Sequence, residues 1–275
     1  MSNKTPIIAI TGCPNSGKSV LFNQFTGKRV TVGNWAGATV DVTKSRLKMG
    51  AIWVNLYDLP GSYNQVQFKE EISNDHAVAN AFLNSGQADV LIQVINATQI
   101  RQQLYFTLQL LELGRPLILL LNLFDECAAE QKKYIESLAL ERHFQCVVHR
   151  VSVSSKQDVQ TFSNWMAEHL PRLLLQAKGT LPYNFASSIE LAVSQIAQFP
   201  SVQSSVAPKV MALRLLEGDQ NSQSALTVAE VQELGVKQQF VAQDVGGSIA
   251  INMADTRYRF LAKLSPMKQG QGHRH

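Results

Sequence analysis

The sequence predicts an α/β protein: a doubly wound, mostly parallel sheet followed by a small all-α helical domain. Apolar runs of strand length alternate with helix-compatible stretches from Ile7 to Val153, the pattern of a sheet with helices on both faces. The first run is followed by a glycine-bearing P-loop that opens a helix. Beyond Lys178-Gly179-Thr180-Leu181-Pro182 only helical spacing remains.

Ile7 to Ile10 is the first strand, and Val20 to Phe25 lies on the helix after the loop. Lys28 to Val42 is glycine-spaced and poorly periodic, so it reads as a long loop. Val40, Val42 and Leu47, then Ile52, Val54 and Leu56, alternate as a hairpin turning at Met49-Gly50. Glu70 to Leu83 is helix-like and leads into the strand Val90 to Ile95, then a helix through Leu104, Leu108 and Leu111. A buried strand Leu117 to Leu121, a helix through Leu138, a last strand Val147 to Val153 and a helix beginning near Val159 complete the first domain. Apolar positions Ile189, Val193 and Ile196; Val210, Leu213 and Leu216; Val228, Val231 and Leu234; and Ile249, Met253 and Phe260 suit the inner faces of a bundle. The resulting division is residues 1–178, residues 179–265, and a polar tail 266–275 that reads as partly artificial and carries no assigned function.

Composition narrows the function classes. A chain of 275 residues, 45% hydrophobic, with net charge +4 and no long Lys/Arg run, does not require nucleic acid as a partner. Cys13, Cys127 and Cys146 are too few and too irregularly spaced for a disulfide framework or a CxxC metal site, which fits a reducing cytosol and a packing role. The longest apolar run, near Leu117 to Leu121, is far short of the about 20 residues that cross a bilayer.

Gly12-Cys13-Pro14-Asn15-Ser16-Gly17-Lys18-Ser19 is the P-loop. Its glycines let backbone N–H groups from Asn15 through Val20 face an anion, with the helix N-terminus adding positive potential. Lys18 can reach the outer phosphates, and the Ser19 hydroxyl suits Mg²⁺. Asp58-Leu59-Pro60-Gly61 ends a strand, so Asp58 is placed to hold Mg²⁺ through water and the Gly61 N–H to meet a γ-phosphate. Asn122-Leu123-Phe124-Asp125 resembles the base-reading NKxD pattern with Leu123 in the lysine position. A carboxylate at Asp125 accepts from the N1–H and exocyclic amine of guanine, a donor pair that adenine lacks; the plainer reading is a helix N-cap by Asp125 or Asn122. Ser154 and Ser155, after the last strand, occupy the place of a second base loop, where serines also make ordinary turns. GTP and GDP are therefore the expected ligands, with Mg²⁺.

Together with Gly33-Asn34-Trp35-Ala36-Gly37-Ala38-Thr39, Ser62-Tyr63 and the run Leu104 to Gly114, these motifs make the chain similar to the cytosolic N-terminal part of the FeoB ferrous iron transporters. That resemblance covers nearly the whole chain. It implies a GTPase G domain, a helical domain likened to a nucleotide-dissociation inhibitor, and a membrane transport domain elsewhere in the same polypeptide, with this part on the cytoplasmic side of a bacterial inner membrane. It implies Thr39 as the switch I ligand of Mg²⁺, residues around Glu70 to His76 as switch II, and Asn15 with the carbonyls of Gly33 and Trp35 as ligands of K⁺. Ferrous iron is then the transported ion, not necessarily bound here. Ser62 stands where Ras-like enzymes carry a water-orienting glutamine, so intrinsic hydrolysis is expected to be slow. Gln157-Asp158 replaces the glycines often found after the second base loop.

Several weaker readings stand beside these. Trp35 marks either a contact with another copy of the chain or packing over the nucleotide. Glu70, Glu71, Asp75 and His76 form either a metal-binding face or a solvated helix, and His143, His149 and His169 are read as structural. Two rival functions are an RNA-associated assembly GTPase, disfavoured by the lack of a GxxG or aromatic-basic RNA surface, and a nucleotide-binding interaction module with negligible hydrolysis.

Overall fold

The computed structural model describes residues 5–27, 31–34, 41–61, 74–176 and 181–264. Strand β1 (Ile7–Thr11) leads through the P-loop into α1 (Lys18–Thr26), followed by β2 (Thr31–Asn34), β3 (Asp41–Met49) and β4 (Ile52–Asp58). Helix α2 (Asn74–Asn84), β5 (Val90–Asn96), a 3-10 turn, α3 (Ile100–Leu111), β6 (Leu117–Asn122), α4 (Ala129–Ser137), α5 (Leu140–Phe144), β7 (Val147–Arg150) and α6 (Lys156–Leu175) follow. The remainder is helical: α7 (Ser187–Ile196), α8 (Pro200–Gln203), α9 (Pro208–Glu217), α10 (Gln220–Gln223), α11 (Val228–Asp244) and α12 (Ile249–Leu264). The predicted division at 178 and the tail 266–275 lie outside the described residues.

The seven strands run in the order β2-β3-β4-β1-β5-β6-β7. β3 is antiparallel to both neighbours, while β4, β1, β5, β6 and β7 are parallel. Because side chains alternate across a sheet, each central strand feeds two cores. Ala9, Leu91, Ile95, Leu119 and Leu121 pack with Phe82 of α2, Phe106 of α3 and Ile135 of α4. Their neighbours Ile8, Ile10, Ile92, Val94 and Leu120 pack with Phe22 of α1 and Phe162 and Met166 of α6. β1 lies between β4 and β5, so its C-terminal end stands at the point where the winding reverses, the crevice in which doubly wound sheets bind ligands.

The structure corrects five expectations. The stretch read as a long loop carries β2, a four-residue edge strand paired with β3, whose existence depends on that partner rather than on its own glycine-spaced pattern. The helix expected through Leu138 stops at Ser137: Ala139 takes a positive φ of 42° and a separate α5 begins. β7 ends at Arg150, because Val153 turns its N–H to the Asn122 side chain instead of extending the ladder. In the bundle, Val228 is 78% exposed at the first turn of α11, and Glu230 is buried in its place. Thr227 and Glu230 make a reciprocal capping box, and Ser201 donates both N–H and hydroxyl to the Glu230 carboxylate. Phe260 packs with Phe144 beneath the sheet rather than in the bundle core.

The bundle core of Ile189, Ile196, Leu216, Leu234, Val241 and Met253 is joined to the sheet layer by buried charges. Glu112, just past α3, meets Arg257 of α12 at 2.7 and 3.0 Å and Arg214 of α9 at 3.1 Å. Glu217 closes the square, 2.7 Å from each arginine. The four side chains are 0–2% exposed. Tyr183 donates to Glu112 at 2.5 Å, and Arg257 donates to the Tyr105 hydroxyl at 3.2 Å. Burial alone would raise the Glu112 carboxyl, but Arg257 and Arg214 outweigh it and hold that group below its ordinary 4.5.

Removing one member of such a cluster strands its partners in a dry interior, at a cost of about 3–5 kcal/mol. Glu112→Ala is therefore expected to lower unfolding free energy by about that amount in urea titrations; a loss below about 1 kcal/mol would show that the cluster contributes little. The pH dependence has a definite sign. A carboxyl held low when folded stabilises the protein above its unfolded pKa and loses that contribution as pH falls through its folded value. Stability should accordingly decline below the ordinary 4.5 shared by Glu112 and Glu230, the latter held at about 2 chiefly by the Ser201 hydroxyl.

Candidate nucleotide site

The site is assembled from loops leaving the C-terminal ends of β1, β4, β6 and β7. Within the P-loop the Ser16 N–H donates to the Cys13 carbonyl at 3.3 Å, and the Leu21 N–H to the Gly17 carbonyl at 3.0 Å, which closes the first turn of α1. Asn15 has φ 60° and an exposed side chain. Gly17 has φ 102°, and a Cβ there would come within 2.6 Å of the Asn122 amide and 2.7 Å of Val153. Only glycine satisfies both the dihedral and the approach. Lys18 is 6% exposed and donates to the Cys13 carbonyl at 2.9 Å, so its ammonium is tied across its own loop. Burial lowers its pKa, opposed by the nearby Asp58 carboxylate.

Asp58 ends β4 beside Ile10 of β1. Burial raises its pKa, and a hydrogen bond from Ser19 and the charge of Lys18 oppose that rise. Its Oδ1 is buried without a hydrogen-bond partner. The serine hydroxyl and the half-satisfied carboxylate are oxygen donors that fit a hard cation, and the lysine gathered beside them suits phosphate. Three residues on, Gly61 lies against Pro14, and a Cβ there would sit 2.9 Å from its ring and nitrogen. The DxxG turn and the P-loop are thus in backbone contact.

Asn122, the last residue of β6, joins three loops. Its Nδ2 donates to the Ser16 carbonyl at 2.9 Å and its Oδ1 accepts from the Val153 N–H at 3.1 Å, both buried. Neither it nor Asp125 caps a helix: α4 starts only at Ala129, with no side-chain cap. Asp125 is exposed at the turn, free of that structural task. Ser154 is exposed and shares a 3.2 Å hydroxyl contact with Ser152. The Ser155 hydroxyl caps α6 by accepting from the Asp158 N–H at 3.2 Å. Asp158, which replaces one of the expected glycines, also accepts from Ser152 N–H at 3.1 Å and so organises this loop.

Other predicted residues cannot be placed as fully. Gly33 lies in β2 opposite Val42. Trp35, Thr39, Ser62, Tyr63, Glu70 and Glu71 lie outside the described residues, and Asp75 and His76 are described only as backbone in α2. His149 and His169 flank Trp165, each with its ring 4.4 Å from the indole. Sequence reasoning missed Lys132 and Arg150, which touch the Phe124-Asp125 turn; no local motif marks them.

These loops on this sheet define a P-loop GTPase fold. The family model described as "Ferrous iron transport protein B" matches residues 6–166. The chain belongs to that family. It is 34% identical over 261 residues to the Fe(2+) transporter FeoB of Escherichia coli and 32% identical over 257 residues to that of Salmonella typhimurium. Each alignment covers 94% of this chain and 32% of the relative, so the chain spans about a third of their length. Among solved structures it is similar to an S. thermophilus NFeoB mutant bound to GDP, with TM-score 0.74 and 26% identity over 95% of this chain and 98% of that one. Another NFeoB mutant, bound to GMPPNP, matches with TM-score 0.73 and 28% identity over 95% and 100% of the two chains.

Asn122→Ala should be costly even without ligand, since it leaves the Ser16 carbonyl and Val153 N–H buried and unpaired. Each such group costs about 1–3 kcal/mol. Urea unfolding of nucleotide-free protein should show a total loss of about 2–6 kcal/mol, well above that of an exposed Asn15→Ala control. Equal losses for the two variants would mean that the loops hold together without this amide.

Proposed function

We propose that this chain is the GTP-binding, slowly GTP-hydrolysing regulatory module of a ferrous iron membrane transporter, with hydrolysis activated by K⁺. The observation that supports it best is the convergence of Lys18, Ser19, Asp58 and Asn122 at the ends of parallel strands, with Asp125 left exposed beside them. Residues 1–178 are the G domain and 179–265 the helical domain; the bundle's own apolar core supports that division. The membrane transport domain would occupy the rest of the longer polypeptide. Among the described residues no helix is long and apolar enough to cross a membrane. We place this module on the cytoplasmic side of a bacterial inner membrane.

Each residue's part follows from its position. Backbone N–H groups of Asn15 to Val20 cradle the β-phosphate, and Lys18 exchanges its bond to the Cys13 carbonyl for phosphate oxygens. Ser19, Asp58 and Thr39 would hold Mg²⁺, which when bound neutralises charge on the outer phosphates. The Gly61 N–H meets the γ-phosphate. Asp125 reads guanine, with Ser154 and Ser155 bordering the base; the Ser155 hydroxyl is engaged by α6, so its contribution there is through backbone. Asn15, with the carbonyls of Gly33 and Trp35, would hold K⁺, which when bound supplies positive charge where negative charge develops during cleavage.

Two experiments test this reading. Asp125→Ala should weaken GDP binding by about 10- to 100-fold, the worth of a hydrogen bond to a charged group. Asp125→Asn should shift preference toward xanthine nucleotides, in calorimetry with GDP, XDP and ADP. Wild-type protein that binds ADP as tightly as GDP would refute guanine recognition. For the cation, single-turnover hydrolysis should be faster in K⁺ than in Na⁺ at matched ionic strength, and Asn15→Ala should remove most of the difference while GDP binding is retained. A rate indifferent to the cation rejects K⁺ activation, and no turnover at all favours a pure interaction module.

A further inference from the structure

The turn that carries Asp125 is held only in part by its own residues. Leu123 sits at φ 59°, a left-handed conformation unfavourable for a leucine, and the turn's own hydrogen bonds are Glu126 N–H to Leu123 O at 3.2 Å, Cys127 N–H to Phe124 O at 3.1 Å and a weak one from the Cys127 thiol to Leu123 O at 3.6 Å. Leu123 also supplies no cation, although the NKxD pattern that this stretch resembles has one there. Two cations from elsewhere in the chain lie against the turn instead. Lys132, in α4, donates to the Asp125 carbonyl at 2.9 Å and stands 5.8 Å from the centre of the Phe124 ring. Arg150, at the end of β7, places its guanidinium 4.1 Å from that centre. Phe124 itself is only 8% exposed.

These contacts form one arrangement rather than two accidents. Glu136 lies one turn after Lys132 on α4 and accepts from Arg150 at 3.1 Å, so α4 orients the β7 cation as well as supplying its own. Arg150 is placed by the sheet, opposite Leu121 at the end of β6, one residue before Asn122. The Phe124 ring is therefore fixed from two elements, and Asp125 follows it by one residue with its carbonyl held and its carboxylate outward. A guanidinium over an aromatic face and an ammonium on a carbonyl are directional contacts, which suits them to hold a short turn in one conformation.

We propose that Lys132 and Arg150 are positioning residues for base recognition: by bracing Phe124 and the Asp125 carbonyl they hold the Asp125 carboxylate where the N1–H and exocyclic amine of guanine meet it together. The inference rests on the guanine reading above. It makes the brace a specificity determinant, because a carboxylate free to swing still finds one donor but seldom both. Phosphate affinity resides in the P-loop and is untouched.

The test uses the whole chain, N-methylanthraniloyl-GDP chased with GDP for dissociation rates, and calorimetry with GDP and with IDP, which keeps the N1–H and phosphates but lacks the exocyclic amine. Lys132→Ala and Arg150→Ala should each speed GDP release by about three- to tenfold. Both should also shrink the GDP-to-IDP affinity ratio, which a general loosening of the pocket would leave unchanged. Lys132→Arg, which keeps a cation and a donor, should restore the ratio. Wild-type rates in the alanine variants, or equal losses for GDP and IDP, overturn the brace while leaving guanine recognition intact. Wild-type protein that does not distinguish GDP from ADP removes the guanine reading and this proposal with it. Should the alanine variants not fold, the surface change Glu136→Gln probes the same brace: faster GDP release supports it, and release at the wild-type rate overturns it.

Discussion

Two guanidiniums and two carboxylates with almost no exposure to water constrain this molecule more than any single apolar contact. Such charges are tolerated in a dry interior only if they cancel and most of their hydrogen-bonding directions are met. Glu112, Arg214, Glu217 and Arg257 cancel as a set, and Tyr105, Tyr183 and the Gln109 carbonyl take remaining positions around them. The cluster therefore has a narrow range of workable geometries. Since its members come from the end of α3, from α9 and from α12, that narrowness transfers to the placement of three helices. A purely apolar joint could slide by a fraction of an ångström at small cost, whereas this one would leave a charge unpaired.

At its other end α3 meets the strand beside the P-loop. The Gln103 side chain accepts from the Asn96 N–H at 3.1 Å, its carbonyl accepts from Gln93 at 3.4 Å, and Gln93 lies opposite Thr11, the last residue of β1. α3 thus runs from the base of the phosphate loop to the charge cluster, buried over most of its length. Loops around the site are linked in the same manner. Asn122 uses one amide to tie the P-loop to the loop after β7, and Gly17 and Gly61 permit the close backbone contacts that bring those loops together. Binding residues on such a frame need little reordering before a ligand is held.

What could be read from sequence was whatever depends on local pattern. Parallel strands buried on both faces show as apolar runs, and the P-loop shows because its glycines, lysine and serine must be contiguous. The edge strand β2 was hidden because its pairing with β3 lies in tertiary structure and its glycine-spaced residues carry no strand pattern. The split of α4 from α5 turns on a positive φ at Ala139, which nothing in an alanine announces. Helical spacing points Val228 inward, yet Thr227 starts the helix there and the burial falls to Glu230, whose carboxylate is satisfied by Ser201 from another helix. The charge cluster was equally invisible. Glu112 looks like a polar end to an apolar helix, and its arginine partners lie 102 and 145 positions away in the chain.

The same distinction separates the two halves of the candidate site. Phosphate recognition, as proposed, would use backbone N–H groups and a lysine within one short segment, so a motif describes it almost completely. Base recognition, as proposed, would use one exposed carboxylate on a turn, and a carboxylate discriminates only if its direction is fixed. In this chain two cations that meet that turn come from outside the motif, a lysine seven positions on and an arginine from the next strand. On the proposed reading, the letters of the motif report which base is read, whereas the sharpness of the reading would depend on α4 and β7.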